Sequence, residues 1–239
     1  MEDADHKEGK LEAEAGKPFP GIARILVVDD HPVVRQGLAM TLGRDPGLMI
    51  CGETEGLKDT LAAVENLRPD LVLSDLDLDG LNGLDLIKAI RASHPQLPIL
   101  ILSMHDEELY AERALRAGAR GYLMKNEPPD RLIAGIYAAL KGEITLSEKI
   151  KAKILGNLAG HREGRKGLSV DRLTDRELEV FRLIGQGYTN RRISEKLSLS
   201  VKTIEAHCAH IKQKLGLNTG AELQYQAFQL NRDAGKDPG

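Results

Sequence analysis

Five short apolar runs alternate with longer segments of helical periodicity along the first part of the chain, and this alternation constrains the fold more than any other feature. Each run has the length of a buried strand and contains few polar residues, which is typical of strands covered on both faces. Strands that alternate with helices favour a parallel sheet with helices on both sides. We therefore predict an α/β doubly wound domain with a five-stranded parallel sheet. Strands are expected at Arg24–Val28, Leu48–Cys51, Leu71–Leu73, Ile99–Leu102 and Gly121–Met124, and helices at Pro32–Arg44, Leu57–Leu67, Gly83–Ser93, Glu107–Ala117 and Pro129–Lys141.

The pattern changes after residue 142. Glycine and charged residues are frequent over 143–170, as in a linker, although Lys149–Lys153 continues a short helical pattern. From residue 171 onward every segment is helical, and Thr174 and Glu177 form a capping box at the start of the first helix. Further helices are predicted over Asn190–Leu197, Val201–Leu215 and about Ala221–Leu230. We predict a disordered tail over 1–21, a first domain over 22–142, a linker over 143–170, an all-α four-helix domain over 171–232 and a tail over 233–239.

Composition narrows the class of protein. Only Cys51 and Cys208 are present, far apart, which argues against a disulfide scaffold and suits a reducing cytoplasm. The longest apolar stretches, such as Ile99–Leu102, are too short to cross a bilayer, so we expect a cytoplasmic protein without membrane contact. Residues 168–239 carry 11 basic and 9 acidic side chains, against 22 and 27 in the rest, which suggests separate roles for the two parts.

Five chemically distinctive residues follow or end the predicted strands. Asp29 and Asp30 end the first, Asp75 the third, Ser103 the fourth and Lys125 the fifth. The carboxyl ends of parallel strands meet at one edge of the sheet, where ligands bind. Three carboxylates there would repel one another, so we expect a hard divalent cation, best satisfied by Mg²⁺. With a hydroxyl and an ammonium added, the set suits the binding and transfer of a phosphoryl group.

These residues lie in segments that resemble the receiver domains of two-component response regulators, which have a flavodoxin-like fold. The resemblance covers about residues 22–142 and implies that Asp75 accepts a phosphoryl group from a sensor histidine kinase. It also implies that Asp30 and Asp75 bind Mg²⁺ directly, Asp29 through water, and Asp77 through its backbone carbonyl. The matching segments are Ile25–Pro32, Pro69–Asp75, Ile101–Ser103 and Gly121–Lys125.

The same resemblance assigns the remaining receiver residues. Ser103 and Lys125 would contact the phosphoryl oxygens, and Tyr122 matches the switch aromatic that turns inward as the hydroxyl residue moves toward the phosphate. Two acids depart from the family: Asp79 stands where proline is usual, and Asp77 adds a carboxylate at the rim. The extra acids could tighten metal binding, slow anionic phosphodonors or face water, and the sequence leaves this open.

Two other metal-binding interpretations are a calcium loop and a site with histidine ligands. The segment Asp75–Gly80 matches the opening of an EF-hand calcium loop, but position 12 would be Leu86, which supplies no carboxylate, and an apolar strand precedes it. His31 and His105 are near the predicted rim, but no second histidine stands at ligand spacing, so surface or packing roles are favoured.

The segments Asn190–Leu197 and Val201–Leu215 are predicted to form a helix-turn-helix, from their lengths and from Ser200 as a cap. In such motifs the second helix enters the major groove of DNA. Cys208 falls with the apolar residues of that helix, so it is expected to be a buried hydrophobe rather than a redox sensor. The residues expected on one broad side of the helix are Lys202, Thr203, Glu205, Ala206, Ala209 and His210.

This region resembles the LuxR-type domain of the NarL/FixJ class of response regulators, over nearly its whole length, from Leu173 to Leu217. The resemblance makes Lys202, Thr203 and His207 candidate phosphate or groove contacts. Arg191, Arg192 and Lys214 are further candidate DNA contacts. Glu205 stands where many relatives have lysine, and either reads a cytosine amino group or pairs with Lys202 or His207.

The modest positive charge of this domain predicts weak binding by a monomer, which two half-sites and a homodimer would overcome. A stripe formed by Leu223, Ala227 and Leu230 is either domain core or a dimer face. The function predicted overall is a transcriptional regulator of promoter DNA, controlled by phosphorylation, and not a metabolic enzyme. Three alternatives remain: a phosphatase or phosphotransferase that uses Asp75 and Asp77, a DNA-binding protein that ignores phosphorylation, and a helical domain that binds protein.

Overall fold

The structure is a computed structural model that describes residues 21–78, 81–159 and 170–234. Most of the predicted tails and part of the predicted linker lie outside these ranges. The described residues form a sheet-based domain, a helix that follows it, and a smaller helical domain. Within these ranges, no helix combines the length and the apolar character that a membrane span requires.

The first domain is the predicted doubly wound α/β domain. Its strands are all parallel and lie in the order β2–β1–β3–β6–β7. The second strand therefore lies on one side of β1, and the later strands are added on the other side. A short antiparallel hairpin, β4–β5, stands apart from this sheet. The strands are β1 (Ala23–Val28), β2 (Leu48–Thr54), β3 (Leu71–Ser74), β4 (Asp77–Leu78), β5 (Leu81–Asn82), β6 (Ile99–Ser103) and β7 (Gly121–Met124).

Five helices cover the two faces of the sheet. Alternate strand residues explain this: Ile25 and Val27 pack toward one face, and Leu26 and Val28 toward the other. The first face is covered by α1 and α5, and the second by α2, α3 and α4. The helices are α1 (Pro32–Leu42), α2 (Leu57–Leu67), α3 (Gly83–Ser93), α4 (Glu107–Ala117) and α5 (Pro129–Leu140).

The sequence prediction and the structure differ most, within the first domain, at three places. Strand β2 continues to Thr54, three residues beyond the predicted end, and α1 ends at Leu42 rather than Arg44. The β4–β5 hairpin was not predicted, because its strands of two residues are too short to show a period. It ends at Asn82, whose side chain accepts a hydrogen bond from the Leu84 amide and so caps α3.

Part of the predicted linker over 143–170 is packed on the first domain. The Tyr122 amide donates to the Thr145 carbonyl at 2.9 Å, and Leu146 and Ile150 are buried. A helix, α6 (Glu148–Leu158), then lies against α4, and is longer than the predicted Lys149–Lys153. This region therefore extends the first domain, at least as far as the described residues reach.

The second domain contains a 3₁₀ turn and four helices, as predicted for 171–232. Thr174 and Glu177 form the predicted capping box, and Ser200 caps the third helix by accepting from the Thr203 amide. That helix ends at Gly216, whose φ of 69° suits glycine. The elements are the turn Val170–Arg172, α7 (Asp175–Gly185), α8 (Asn190–Lys196), α9 (Val201–Leu215) and α10 (Gly220–Ala234).

The core of this domain settles the role of the apolar stripe on the last helix. Leu223 and Ala227 are buried, and Leu230 packs against the same cluster, so the stripe is core and not a dimer face. The close contact of α7 and α10 depends on Gly185, since an added Cβ would lie 2.2 Å from the Ala227 carbonyl oxygen. On the outer side of α10, Tyr225 and Phe228 are exposed.

Replacement of Gly121 by alanine should destabilise the first domain. A Cβ there would lie 2.5 Å from the backbone oxygen of Thr145, which holds the segment after α5 against β7. We expect a loss of about 1–3 kcal/mol in the free energy of unfolding, measured by urea denaturation. Gly37→Ala is the control: nothing lies within 4 Å of its Cβ, so it should gain about 0.5–1 kcal/mol. Equal effects of the two changes would contradict this packing.

Candidate phosphoacceptor site and nucleic-acid interface

The four predicted strand-end positions come together at one edge of the sheet. Asp29 follows β1, Asp75 follows β3, Ser103 ends β6 and Lys125 follows β7. The Lys125 ammonium lies 2.6 Å from Asp29 Oδ2 and 2.8 Å from Asp75 Oδ2, so one cation bridges two carboxylates. Asp29 and Asp75 are only 2% and 5% exposed, which makes their mutual repulsion strong.

The residues present fit a divalent cation. Ligand atoms of Asp29, Asp30, His31 and Asp75 all lie within 4.8 Å of one another. Three of these residues offer carboxylate oxygens, the ligands that Mg²⁺ prefers. His31 was expected to be a surface or packing residue. Its Nδ1 lies 2.6 Å from Asp30 Oδ1 and 3.3 Å from Asp29 Oδ1. Its side chain is 63% exposed, and it therefore borders the cluster from the solvent side.

Burial and mutual contacts shift the pKa values of Asp75 and Lys125. Burial raises the pKa of Asp75 by more than the hydrogen bond and charge of Lys125 lower it. For Lys125, burial alone would lower the pKa, but the hydrogen bonds and charges of Asp29 and Asp75 outweigh burial and raise it. The lysine is therefore held as a cation beside a carboxyl group whose negative charge is costly.

Ser103 and Tyr122 are linked through the loop after β6. The His105 amide donates to Ser103 Oγ at 3.1 Å, and the Tyr122 hydroxyl donates to the His105 carbonyl at 2.8 Å. Ser103 and Tyr122 are both fully buried, and burial raises the pKa of Tyr122. The predicted switch aromatic thus lies inward here, where it touches the segment that follows the predicted hydroxyl residue.

The side chain of Asp77 does not join the acidic cluster. Its Oδ2 lies 3.3 Å from Arg182 of α7 and 3.4 Å from Nε2 of His105. Burial would raise the pKa of Asp77, but the His105 hydrogen bond and the Arg182 charge hold it well below its usual value. None of the three roles left open for this carboxylate included contact with the second domain, and no local sequence signal pointed to it. Asp79 lies outside the described residues.

The arrangement is not that of an EF-hand. Asp75 follows a strand, and Asp77 begins the β4–β5 hairpin rather than a loop between two helices. Leu86, at the position of the bidentate ligand, is buried in α3. His105 packs its ring against Tyr110, with 5.3 Å between the ring centroids, which agrees with the packing role expected for it.

A cavity of about 510 Å³ opens beside the Asp75 carboxylate. It runs from Asp75 and Lys125 into an apolar cleft between α1 and α5, where Val34, Leu38 and Leu132 line it. No sequence pattern indicated this cleft. This cavity is large enough for an incoming group to reach Asp75 from solvent along the apolar wall.

The predicted DNA-reading surface of α9 is open. Ile204 and Ile211 are buried on its inner side, as the apolar spacing predicts. Cys208 is half-buried against the core, and burial raises its pKa, as expected for a packing residue rather than a reactive thiol. The exposed positions of the predicted set are Arg191, Arg192, Lys202, Glu205, Ala206, Ala209 and His210, while Thr203, His207 and Lys214 are partly covered.

Among the predicted DNA contacts, Lys214 and Glu205 differ in their ion pairs. The Lys214 ammonium lies 2.5 Å from the carboxylate of Glu177, so it joins α9 to the capping box of α7. No ion pair between Glu205 and either Lys202 or His207 occurs among the described side chains, so the neighbour-pairing alternative for Glu205 has no contact to support it.

Comparison with known proteins agrees with this geometry. The response regulator receiver domain family matches residues 25–137, and the luxR family of bacterial regulatory proteins matches 171–225. The chain is 37% identical over 210 residues to the oxygen regulatory protein NreC of Staphylococcus aureus strain JH9, a match that covers 86% of this chain and 97% of NreC.

Solved structures are similar over the same extent. The RcsB response regulator of Salmonella typhimurium is 25% identical with a TM-score of 0.66, over 88% of this chain and 98% of that one. RcsB from Salmonella enterica serovar Typhimurium, bound to promoter P1flhDC in the presence of the phosphomimetic BeF3−, is 26% identical with a TM-score of 0.64, over 87% and 98%.

An acidic strand-end rim on a receiver fold, joined to a LuxR-type helix-turn-helix, defines a response regulator of a two-component system. The chain belongs to the NarL/FixJ class of these regulators. It is a phosphorylation-regulated, DNA-binding transcription regulator rather than a member of an enzyme family.

The raised pKa of Asp75 gives a stability test. Because its pKa is higher in the folded chain than the usual 3.8, its contribution to stability is full below 3.8 and is lost as the pH rises through the folded pKa. In EDTA, Asp75→Asn should therefore gain stability over the wild type as the pH rises from about 4 to about 7. Urea denaturation across that range measures the difference. A stability difference between the variant and the wild type that does not shift in favour of the variant as the pH rises would contradict the burial argument.

Proposed function

We propose that Asp75 is the phosphoacceptor of this regulator, with a sensor histidine kinase or a small phosphodonor as the source. The observation that carries the proposal is the position of the Lys125 ammonium, shared between Asp75 and Asp29 at the mouth of a cavity. An oxygen of Asp75 would bond to phosphorus as the bond to the donor breaks, and the donor would leave with that electron pair. Lys125 and Ser103 would then bind the phosphoryl oxygens.

Asp29, Asp30 and Asp75, with the backbone carbonyl of Asp77, would hold Mg²⁺. The ion would neutralise carboxylate charge and bind phosphoryl oxygen when present. The contacts of the Asp77 side chain support an acceptor over a phosphatase or phosphotransferase, because its carboxylate pairs with Arg182 and His105 and is not directed at Asp75 as a second acid or base. Slow self-hydrolysis of the phosphoaspartate would limit the lifetime of the signal.

The second domain would bind promoter DNA through α9. Its exposed outer side and the exposed arginines of α8 support this, as does the RcsB structure bound to promoter DNA. We further propose a homodimer on two half-sites, with Tyr225 and Phe228 of α10 at its interface. Aromatic side chains 60% and 55% exposed on one helix are unusual for a free surface and typical of a contact between subunits.

Phosphorylation of Asp75 is tested by incubation with acetyl phosphate and Mg²⁺. The wild type should gain the mass of one phosphoryl group and sediment as a dimer, because the modified receiver favours pairing. Asp75→Asn should show neither change, and Lys125→Gln should be phosphorylated at least about tenfold more slowly, since a charge-assisted contact in the transition state is lost. Asp130→Asn, an exposed aspartate of α5, is the matched control and should behave as the wild type. Modification of Asp75→Asn at wild-type yield would exclude Asp75 as the acceptor.

The roles of Lys202 and Glu205 are separable with a randomised duplex library. Lys202→Ala should weaken binding to all selected sequences and reduce the salt dependence by about one ion, because a phosphate contact is lost. Glu205→Ala should relax the preference for cytosine at one position, by about 1–3 kcal/mol of discrimination, with little change in salt dependence. An unchanged consensus for Glu205→Ala would remove the base-reading role.

A further inference from the structure

Three polar side chains meet where the receiver contacts the second domain. Asp77, His105 and Arg182 form this node, with the Asp77 carboxylate 3.3 Å from the Arg182 guanidinium and 3.4 Å from the His105 ring. The side chains of Arg182 and His105 are 11% and 18% exposed. The Asp77 side chain is 40% exposed, so water reaches the node from the Asp77 side. Tyr110 lies beside His105, and burial raises its pKa to about 12.

Two members of the node are attached to the phosphoacceptor site. Asp77 is two residues after Asp75, on the segment expected to contribute a metal-binding carbonyl. His105 is tied by its amide to Ser103 Oγ and by its carbonyl to the Tyr122 hydroxyl. The third member, Arg182, belongs to α7 of the DNA-binding domain. The node therefore joins the residues that would respond to a phosphoryl group directly to the other domain.

The other polar contacts described between the domains include one from the β4–β5 hairpin, where Asn82 donates to Glu179 at 3.2 Å, and several from helices of the receiver. Lys88 of α3 and Arg113 of α4 both pair with Asp175, at 2.9 and 3.0 Å. Arg113 also donates to the carbonyls of Leu173 and Val170. These contacts hold the domains together, but neither cation is hydrogen-bonded to a residue of the acceptor site among the contacts described.

We propose that the Asp77–His105–Arg182 node transmits occupancy of Asp75 to the docking of α7 on the receiver, an inference that rests on the proposed function. A phosphoryl group would bring the charge at Asp75 from −1 to about −2 and would attract Ser103 and Lys125. His105 would move with Ser103 and Tyr122, to which it is bonded, and its ring would withdraw from the Asp77 carboxylate. The Asp77–Arg182 pair would then lose the contact that orients it, which disfavours docking.

The test is hydrogen exchange of the full chain, followed by mass spectrometry, with and without beryllofluoride and Mg²⁺. In the wild type, beryllofluoride should speed exchange of the peptides over Glu107–Ala117 and Asp175–Gly185. In Arg182→Gln, exchange should already be faster by about two- to five-fold without beryllofluoride, and should change little on its addition. Lys88→Gln is the matched control, because it removes an interdomain ion pair away from the acceptor loops. It should also speed basal exchange, but it should keep the wild-type response to beryllofluoride.

A response of Arg182→Gln equal in fold to that of the wild type and Lys88→Gln would overturn the coupling role. Asp77→Asn gives an independent version of the test, since it keeps the backbone carbonyl and removes the charge from the other side of the pair. Phosphorylation is scored separately by mass. If Arg182→Gln gains a phosphoryl group from acetyl phosphate and yet keeps the wild-type exchange response, the node is not the coupling element and Asp75 remains the acceptor. If the wild type gains no phosphoryl group, the proposed function itself fails.

Discussion

Repulsion among buried carboxylates is the constraint on which the site depends. Asp29 and Asp75 are almost completely removed from water, yet they lie close enough to share the ammonium of Lys125. One cation cannot balance these two carboxylates and Asp30 beside them, so the rim keeps an excess of negative charge. An excess of this kind favours the binding of a divalent cation. The parallel sheet makes the arrangement possible, since it directs the carboxyl ends of separate strands to a single edge.

Sequence patterns predicted this arrangement because each part of it has a local signature. Apolar runs mark the strands, and the residue that follows each run is fixed at the rim by strand direction alone. The same is true of α9, where capping by Ser200 and the spacing of Ile204 and Ile211 define which side faces out. These features need no knowledge of distant parts of the chain.

Features that depend on distant partners were not predictable. The β4–β5 hairpin is too short to show a period, and Asp77 finds its partner 105 residues away along the chain. The packing of Thr145 and Ile150 on the receiver turned part of an apparent linker into structure. The stripe on α10 shows the same limitation, since only the burial of Leu223 and Ala227 against distant segments identifies it as core. In each case the deciding contact joins segments whose own sequences carry no sign of it.

Helix α7 packs through two sides. Leu178 and Phe181 hold the core of the DNA-binding domain, while Glu179 and Arg182 contact the receiver. The docked domain nevertheless leaves the outer side of α9 uncovered, with Lys202 and Glu205 in solvent. Among the described residues, the receiver contacts α7 and not the outer side of α9, so docking does not cover the surface that would contact a single half-site. In the proposed homodimer, docking would instead fix the direction in which each copy presents that helix, so control would fall on whether two copies can match the helical repeat of DNA together.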